Sequence, residues 1–206
     1  MILLSILIPV YNQEELIKKA IDSIPQRNDI EIIIVDDAST DKTVQSVESI
    51  KRDDLTLVKL DKRRSIGYCR NICLEAAKGK FIFWLDSDDY VDTEKFQKFI
   101  DFLYKNQWCD LVHIDLLDNR GVHFNGMDSC GTPTKIERLE TLNKFHLRFE
   151  DITVGEDLIL WNELKKKRII ATHYKETFYH YNYPREGSTT WLAQRKIIEE
   201  DWRKYV

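Results

Sequence analysis

Apolar residues alternate between two kinds of run over the first 90 positions. Leu3 to Val10 is nearly continuous in apolar character, the pattern of a strand covered on both faces. Leu16, Ile17, Ala20, Ile21 and Ile24 then recur at helical spacing. Asn12, with Glu15 three residues on, reads as a capping-box start for that helix, and Pro25 closes it. Glu31 to Val35 is a second short strand, followed by helical spacing at Val44, Val47 and Ile50. Leu55 to Leu60 alternates with polar residues and reads as a third strand, nearer a sheet edge. Tyr68 to Ala77 is a helix with Cys69, Ile72, Cys73 and Ala76 on its inner face, ended by Gly79. Phe81 to Leu85, rich in aromatic and β-branched residues, is a fourth strand. A β-α-β-α-β-α-β order with short connections predicts parallel strands joined by right-handed crossovers.

After Asp89 the pattern changes. Phe96, Phe99, Ile100 and Leu103 mark a helix starting near Thr93, with Asp88 or Asp92 as its N-cap. Leu111 to Leu117 is strand-like, and Asp118 to Gly121 is a turn leading to a short hairpin. Asn125 to Pro133 is loop, and Ile136 to Phe149 reads as a helix of weak period. Gly155-Glu156-Asp157 opens a helix carrying Leu158, Trp161 and Leu164. Ile169 to Tyr174 and Phe178 to Tyr183 read as two strands. Trp191, Ile198, Trp202 and Tyr205 predict a C-terminal helix that docks on the rest of the domain or else meets a partner, docking being favoured.

The 206 residues fit one domain. Hydrophobic content of 43% and charged content of 32% are ordinary for a soluble globular chain. A net charge of −4, with Lys and Arg spread along the chain, argues against nucleic acid as a partner. An anionic substrate therefore needs a local cation, either a metal or an arginine. Cys69, Cys73, Cys109 and Cys130 lack C-x-x-C spacing; Cys69 and Cys73, one helical turn apart, read as small apolar residues packed inward, in keeping with a reducing cytosol. The apolar start lacks a basic leader and a small-residue cleavage site, so it reads as a strand and not a signal peptide. No apolar run approaches the roughly 20 residues that span a bilayer, which leaves membrane association at most peripheral.

The chemistry concentrates where the fourth strand ends. Asp86-Ser87-Asp88-Asp89 sets three carboxylates within four residues. In open α/β sheets, ligands bind beyond the carboxyl ends of strands. Like charges crowded there call for something positive among them. Hard oxygen ligands suit Mg²⁺ or Mn²⁺, with phosphate oxygens completing the shell. Arg70, just inside a helix after Gly67, is placed to give a phosphate two parallel hydrogen bonds, or else makes a surface salt bridge.

Four blocks in order resemble family 2 glycosyltransferases of the GT-A fold. They are Ser5-Ile-Leu-Ile-Pro9-Val-Tyr11-Asn12, Glu31-Ile-Ile-Ile-Val-Asp36-Asp37-Ala-Ser39-Thr-Asp41, Gly67-Tyr-Cys-Arg70-Asn71 and Asp86-Ser-Asp88-Asp89. Gly155-Glu156-Asp157, and Tyr179-His180-Tyr181 through Ser188, are similar to the family's later signatures. Ser65 stands where the family often has Asn, and Cys69 where it usually has Ala; both are small. About Asp110 to Asp151 shows little likeness, and the stretch from Asp89 to Glu156 is short for the family, on the side where acceptors are held.

The resemblance implies a Rossmann-like, mainly parallel central sheet flanked by helices. Residues 1–92 would form the nucleotide-sugar half and 93–206 a smaller acceptor side. It implies single displacement with inversion from a nucleotide diphosphate sugar, a UDP-sugar, to a glycan or lipid-linked acceptor in cell-surface polysaccharide assembly. The setting would be cytoplasmic, at most peripheral at the inner face of the membrane. Asp36 or Asp37 would accept the pyrimidine ring N–H, or else only cap the next helix. Pro9 and Tyr11 would form the floor beneath the base. Asp88 would bind the metal and Asp86 the ribose or donor sugar, with Arg70 at a phosphate. Asp157 would be the base, its ionised form favoured at a helix start; the bland reading is an ordinary acidic first turn. Among the scattered histidines only His180, in its Tyr-rich strand, draws notice.

Three other functions share part of this pattern. A metal-dependent nucleotidyltransferase requires a Gly-rich basic loop after the first strand, which Pro9-Val-Tyr-Asn-Gln lacks. A phospho-receiver module matches Asp36-Asp37 but not the crowded Asp86 to Asp89 or the long second half. A non-catalytic nucleotide-sugar binder is disfavoured because every expected carboxylate is present.

Overall fold

The structure, a computed structural model, describes residues 1–129 and 131–182. The predicted C-terminal helix with Trp191, Ile198, Trp202 and Tyr205 lies outside these residues, as do Cys130, Tyr183 and Ser188. The first half follows the sequence pattern closely. Strand β1 (Leu4–Val10) leads through α1 (Ile17–Asp22) to β2 (Ile30–Asp36), then through α2 (Thr43–Glu48) to β3 (Leu55–Lys59) and through α3 (Ile66–Ala76) to β4 (Phe81–Trp84). All pairings among these four strands are parallel, with β1 between β2 and β4. Val10 lies beside Asp36 and Leu7 beside Trp84, so β1, β2 and β4 end on the same rim.

The second half adds β5 (Tyr90–Val91), α4 (Thr93–Lys105), β6 (Leu111–Asp118), β7 (His123–Phe124), β8 (Lys135–Arg138), α5 (Leu139–Lys144), α6 (Glu156–Lys165) and β9 (Ala171–Tyr181). Among the described residues the strands form one sheet in the order β3-β2-β1-β4-β8-β6-β9-β5, with β7 beside β6. β8 is antiparallel to both neighbours, while β6 and β9 run parallel.

Alternation along the strands feeds two cores. Ile6, Ile8, Ile32, Ile34, Phe81 and Phe83 pack with α1, α2 and α4. Leu7, Ile33, Val35, Ile82 and Trp84 pack with α3, α5 and α6 on the other face. Cys69 and Cys73 are buried in this second core, as their spacing implies.

Several local expectations are corrected. Asn12 is no helix cap: its φ is 49° and it is tied to the loop after β2, while α1 starts at Ile17 without a side-chain cap. Gly79 does not end α3 in a left-handed turn. A Cβ there would lie 2.5 Å from the Ser5 backbone nitrogen, so close packing on β1 demands glycine. The cap of α4 is Asp92, whose carboxylate accepts the Lys95 N–H, and not Asp88. The weak-period segment after Pro133 is strand β8 followed by the short helix α5; pairing with β4 and β6 outweighs local preference there. The two predicted strands near the end are one strand, β9, whose pairing with β6 shifts register between Ile114 and Leu116.

Candidate functional site

The rim at the carboxyl ends of β1, β2 and β4 gathers residues from all four sequence blocks. At one end, the loops after β1 and β2 are knitted together. The Asn12 N–H donates to Ser39 Oγ at 3.0 Å, Thr40 N–H donates to Asn12 Oδ1 at 2.8 Å, and Gln13 N–H donates to Thr43 Oγ1 at 2.7 Å. Asn12 and Ala38, at φ 49° and 57°, both adopt the left-handed conformation, whose cost the mutual hydrogen bonds offset.

Asp36 is 2% exposed. Its Oδ2 accepts the Ser39 N–H at 3.0 Å, and its Oδ1 has no hydrogen-bond partner among the described residues. A buried acceptor left without a partner is costly. Asp37 is also buried; it accepts the Arg64 N–H at 2.7 Å and pairs with Arg63 Nε at 3.3 Å. Burial raises its carboxyl above the usual range, against the pull of Arg64 N–H and Arg63. Burial and the nearby Asp37 also push the Cys69 thiol up to about 12, so it stays protonated. The Arg63 guanidinium lies 3.3 Å above the Tyr11 ring, and Pro9 is buried in β1 beside Val35.

At the other end, the turn after β4 sorts its carboxylates. Asp89 is buried: it accepts the Tyr179 O–H at 2.5 Å and the Asn182 N–H at 2.7 Å, which fastens β9 to the turn. Asp86 and Asp88 are only partly buried. Burial raises the Asp86 carboxyl to about 6; Arg70 opposes this, while Asp88 and Asp157 reinforce it. Arg70, inside the protein, makes a short ion pair with Glu156 and lies 3.6 Å from Asp86. Its guanidinium sits near the faces of Trp84 and Phe149, at 5.6 and 5.4 Å.

Asp157 reaches this cluster from α6. Gly155, at φ 86°, turns the chain into the helix. Glu156 and Asp157 then point about 100° apart: Glu156 inward to Arg70, Asp157 to the half-exposed side, with its Oδ1 accepting the Leu158 N–H at 2.7 Å. The charge of Asp157 acts on Asp86, Arg70 and Glu156 alike. Thus Asp36, Asp37 and Tyr11 form one end, and Asp86, Arg70 and Asp157 the other.

Sequence reasoning missed three members. Glu156 reads in sequence as an acidic first turn and is instead the partner of Arg70. Tyr179 lies in a block singled out as a signature, without a role. Glu137, inside β8, reads as part of a helix but is buried and raised to about 8 by burial, against the pull of Lys135 and Arg70. His180 stacks on Tyr90 at 4.6 Å and 4°, beside the Lys19 ammonium, and so is occupied in joining β5 to β9.

Residues 5–155 match the family model described as Glycosyl transferase family 2. The chain is 38% identical over 214 residues to the UDP-Glc:alpha-D-GlcNAc-diphosphoundecaprenol beta-1,3-glucosyltransferase WfaP of Escherichia coli, covering 96% of this chain and 84% of WfaP. It is 28% identical over 223 residues to the poly(ribitol-phosphate) beta-N-acetylglucosaminyltransferase TarS of Staphylococcus aureus, covering 96% of this chain but 38% of TarS. The crystal structure of S. aureus TarS 1-349 in complex with UDP-GlcNAc superposes with a TM-score of 0.81 at 24% identity, over 91% of this chain and 60% of that one. That likeness establishes the GT-A fold.

Proposed function

This chain belongs to glycosyl transferase family 2, and from that premise we propose that it transfers a sugar from a UDP-sugar to a glycan or lipid-linked hydroxyl acceptor, with inversion, in cell-surface polysaccharide assembly. The observation that carries the proposal is Arg70, which lies 3.6 Å from Asp86 and pairs with Glu156, the neighbour of Asp157 on α6, at the rim that also holds the unpaired oxygen of Asp36. A donor end and a proton-accepting end thereby face one site. The names of WfaP and TarS support a UDP-sugar and a polymer or lipid-diphosphate acceptor. A lipid-linked acceptor would bring the protein to the cytoplasmic face of a membrane as a peripheral protein; among the described residues no helix is long and apolar enough to cross one.

In this reading Asp36 or Asp37 accepts the uracil N3–H, and Tyr11 and Pro9 underlie the ring. A carboxylate there favours a base that offers a ring N–H over one that offers a bare ring nitrogen. Asp86 holds hydroxyls of the ribose or donor sugar. Arg70 stays at the donor end, acting on the diphosphate side through Asp86. Asp157 takes the proton of the acceptor hydroxyl as it attacks the anomeric carbon, and the carbon–phosphate oxygen bond breaks to release UDP. Residues 1–92 serve the donor and the later ones the acceptor, within one domain.

Asp86 and Asp88 suit a divalent cation: they are oxygen donors, partly buried, and burial raises Asp86, with the charge of Asp88 adding to it. Among the described residues no three His, Cys, Asp or Glu side chains converge to hold a metal unaided, so Mn²⁺ or Mg²⁺ on Asp88 would share its shell with ligand oxygens and water. When bound, such an ion supplies charge neutralisation for the leaving diphosphate.

The test is UDP release from purified protein supplied with UDP-sugars, Mn²⁺ and undecaprenyl-diphosphate-linked GlcNAc or a polyol-phosphate acceptor, with GDP- and dTDP-sugars as comparison donors. Acceptor-dependent UDP release is the expected result. No UDP release from any UDP-sugar, with pyrophosphate released instead when a nucleoside triphosphate and a sugar phosphate are supplied, would establish a nucleotidyltransferase.

A further inference from the structure

The Gly67-to-Asn71 stretch grips the segment that leads into α6. A Cβ on Gly67 would lie 1.8 Å from the Glu150 carbonyl oxygen, so only glycine permits this approach. Gly67 N–H donates to Ile152 O at 3.1 Å, and Ser65 Oγ donates to Asp151 Oδ1 at 2.5 Å. The Asn71 amide acts like a strand neighbour: Nδ2 donates to Phe149 O at 2.8 Å and Oδ1 accepts Phe149 N–H at 2.9 Å. From this docked segment the chain turns at Gly155 into Glu156, whose carboxylate pairs with Arg70. The side chains of Arg70 and Glu156 are only 5% and 6% exposed, and the same guanidinium reaches Asp86 at 3.6 Å.

We propose that Glu156 is a positioning residue: through Arg70 it fixes the Asp86 carboxylate at the donor end relative to Asp157 at the acceptor end. The inference rests on the donor-site reading of Asp86 given above. Arg70 is the bridge because its planar guanidinium holds its N–H groups in fixed directions, with Nη1 on Glu156 and Nη2 3.6 Å from Asp86. Glu156 is suited to the task because it neighbours Asp157 on one helix turn. Whatever holds Glu156 also sets where Asp157 stands. A shift of about 1 Å in such a pair is enough to slow a reaction roughly a hundredfold.

A purely architectural ion pair makes a different forecast. Replacing both members by apolar residues of similar length removes the buried charges together and often restores stability. The first experiment compares Glu156→Gln with the paired Arg70→Met/Glu156→Met variant in melting temperature, UDP affinity by calorimetry with Mn²⁺, and turnover at saturating donor and acceptor. The expected result is a turnover loss of about tenfold or more in both at saturating donor, beyond any weakening of UDP binding, and a melting temperature recovered in the Met pair. Recovery of turnover together with stability in the Met pair overturns the proposal, as does wild-type turnover in Glu156→Gln.

The second experiment does not depend on activity. Asp86→Asn and Glu156→Gln are combined in a double-mutant cycle read by urea unfolding, once with Arg70 in place and once in Arg70→Met. Non-additivity of about threefold or more in the unfolding constant, present only with Arg70, is expected. Additive effects with Arg70 in place overturn the proposal. If the wild-type protein transfers sugar from no donor, the functional reading fails by itself and this cycle alone decides the link.

Discussion

The Tyr179 hydroxyl donates to the Asp89 carboxylate at 2.5 Å and accepts the backbone N–H of Asp86 at 3.2 Å. One side chain from β9 thus joins the last carboxylate of the turn to the backbone of the first. The geometry explains why three acidic residues within four positions do not share one role. Asp89 is spent on holding the turn, and Asp86 and Asp88 are left at the rim.

Tyr179→Phe keeps the buried ring, with its edge-on contact to Phe83 at 5.9 Å, and removes only the hydroxyl. Asp89 then loses a donor inside the protein, at a cost of about 1–3 kcal/mol. Urea unfolding of the variant is expected to show that loss, together with weaker UDP binding in Mn²⁺, because the Asp86 backbone is no longer tethered. Unchanged stability would remove Tyr179 from the support of the turn.

UDP binding is expected to require a divalent cation, since Asp86 and Asp88 place negative charge at the donor end, where a diphosphate would lie. Calorimetry in EDTA and in Mn²⁺ checks this, and Asp88→Ala should abolish the difference between the two. Equal UDP affinity in both buffers for the wild-type protein would exclude a metal role for Asp88.

Asp157→Asn retains size and the acceptor for the Leu158 N–H but loses the basic oxygen. Turnover should fall by roughly 10²–10⁴-fold, with UDP affinity and melting temperature near wild type. Glu156, although adjacent, is not a neutral control, because it is buried against Arg70; Leu158→Met serves better. Turnover near wild type in Asp157→Asn would assign the base elsewhere.

Glu137 makes stability depend on pH. Its folded value, raised to about 8 by burial, exceeds the roughly 4.3 of an unfolded Glu, so the folded protein holds a proton that the unfolded chain has released. The resulting stabilisation is full below about pH 4 and is lost as pH rises through about 8; Asp86, raised to about 6, contributes in the same direction over a narrower window. Chemical denaturation of Glu137→Gln across pH 6 to 9 should show a flatter profile and a gain of about 1–3 kcal/mol at the alkaline end. A wild-type profile that rises toward alkaline pH would contradict this.

Much of this protein was legible in its amino-acid order. Near-continuous apolar runs and helical spacing placed β1, α3 and β4, because a strand buried on both faces and a helix buried on one leave local, periodic marks. The carboxylates at the ends of β2 and β4 fell on one rim because parallel strands end together. The short family-like blocks brought Asp157 to attention as well, although nothing periodic ties it to Asp86. Where local signals were weak, tertiary pairing decided. Ile136 became part of a strand because β4 and β6 each offered it an edge, and Asn12 left its helix to bridge two loops. The division of labour among like residues was also invisible in sequence. Glu156 and Asp157 are chemically alike and adjacent, yet one faces an arginine 86 residues away and the other the site. Asp89 is set apart because Tyr179 reaches it. Such roles depend on which side chains a distant segment delivers, and folding alone sets that.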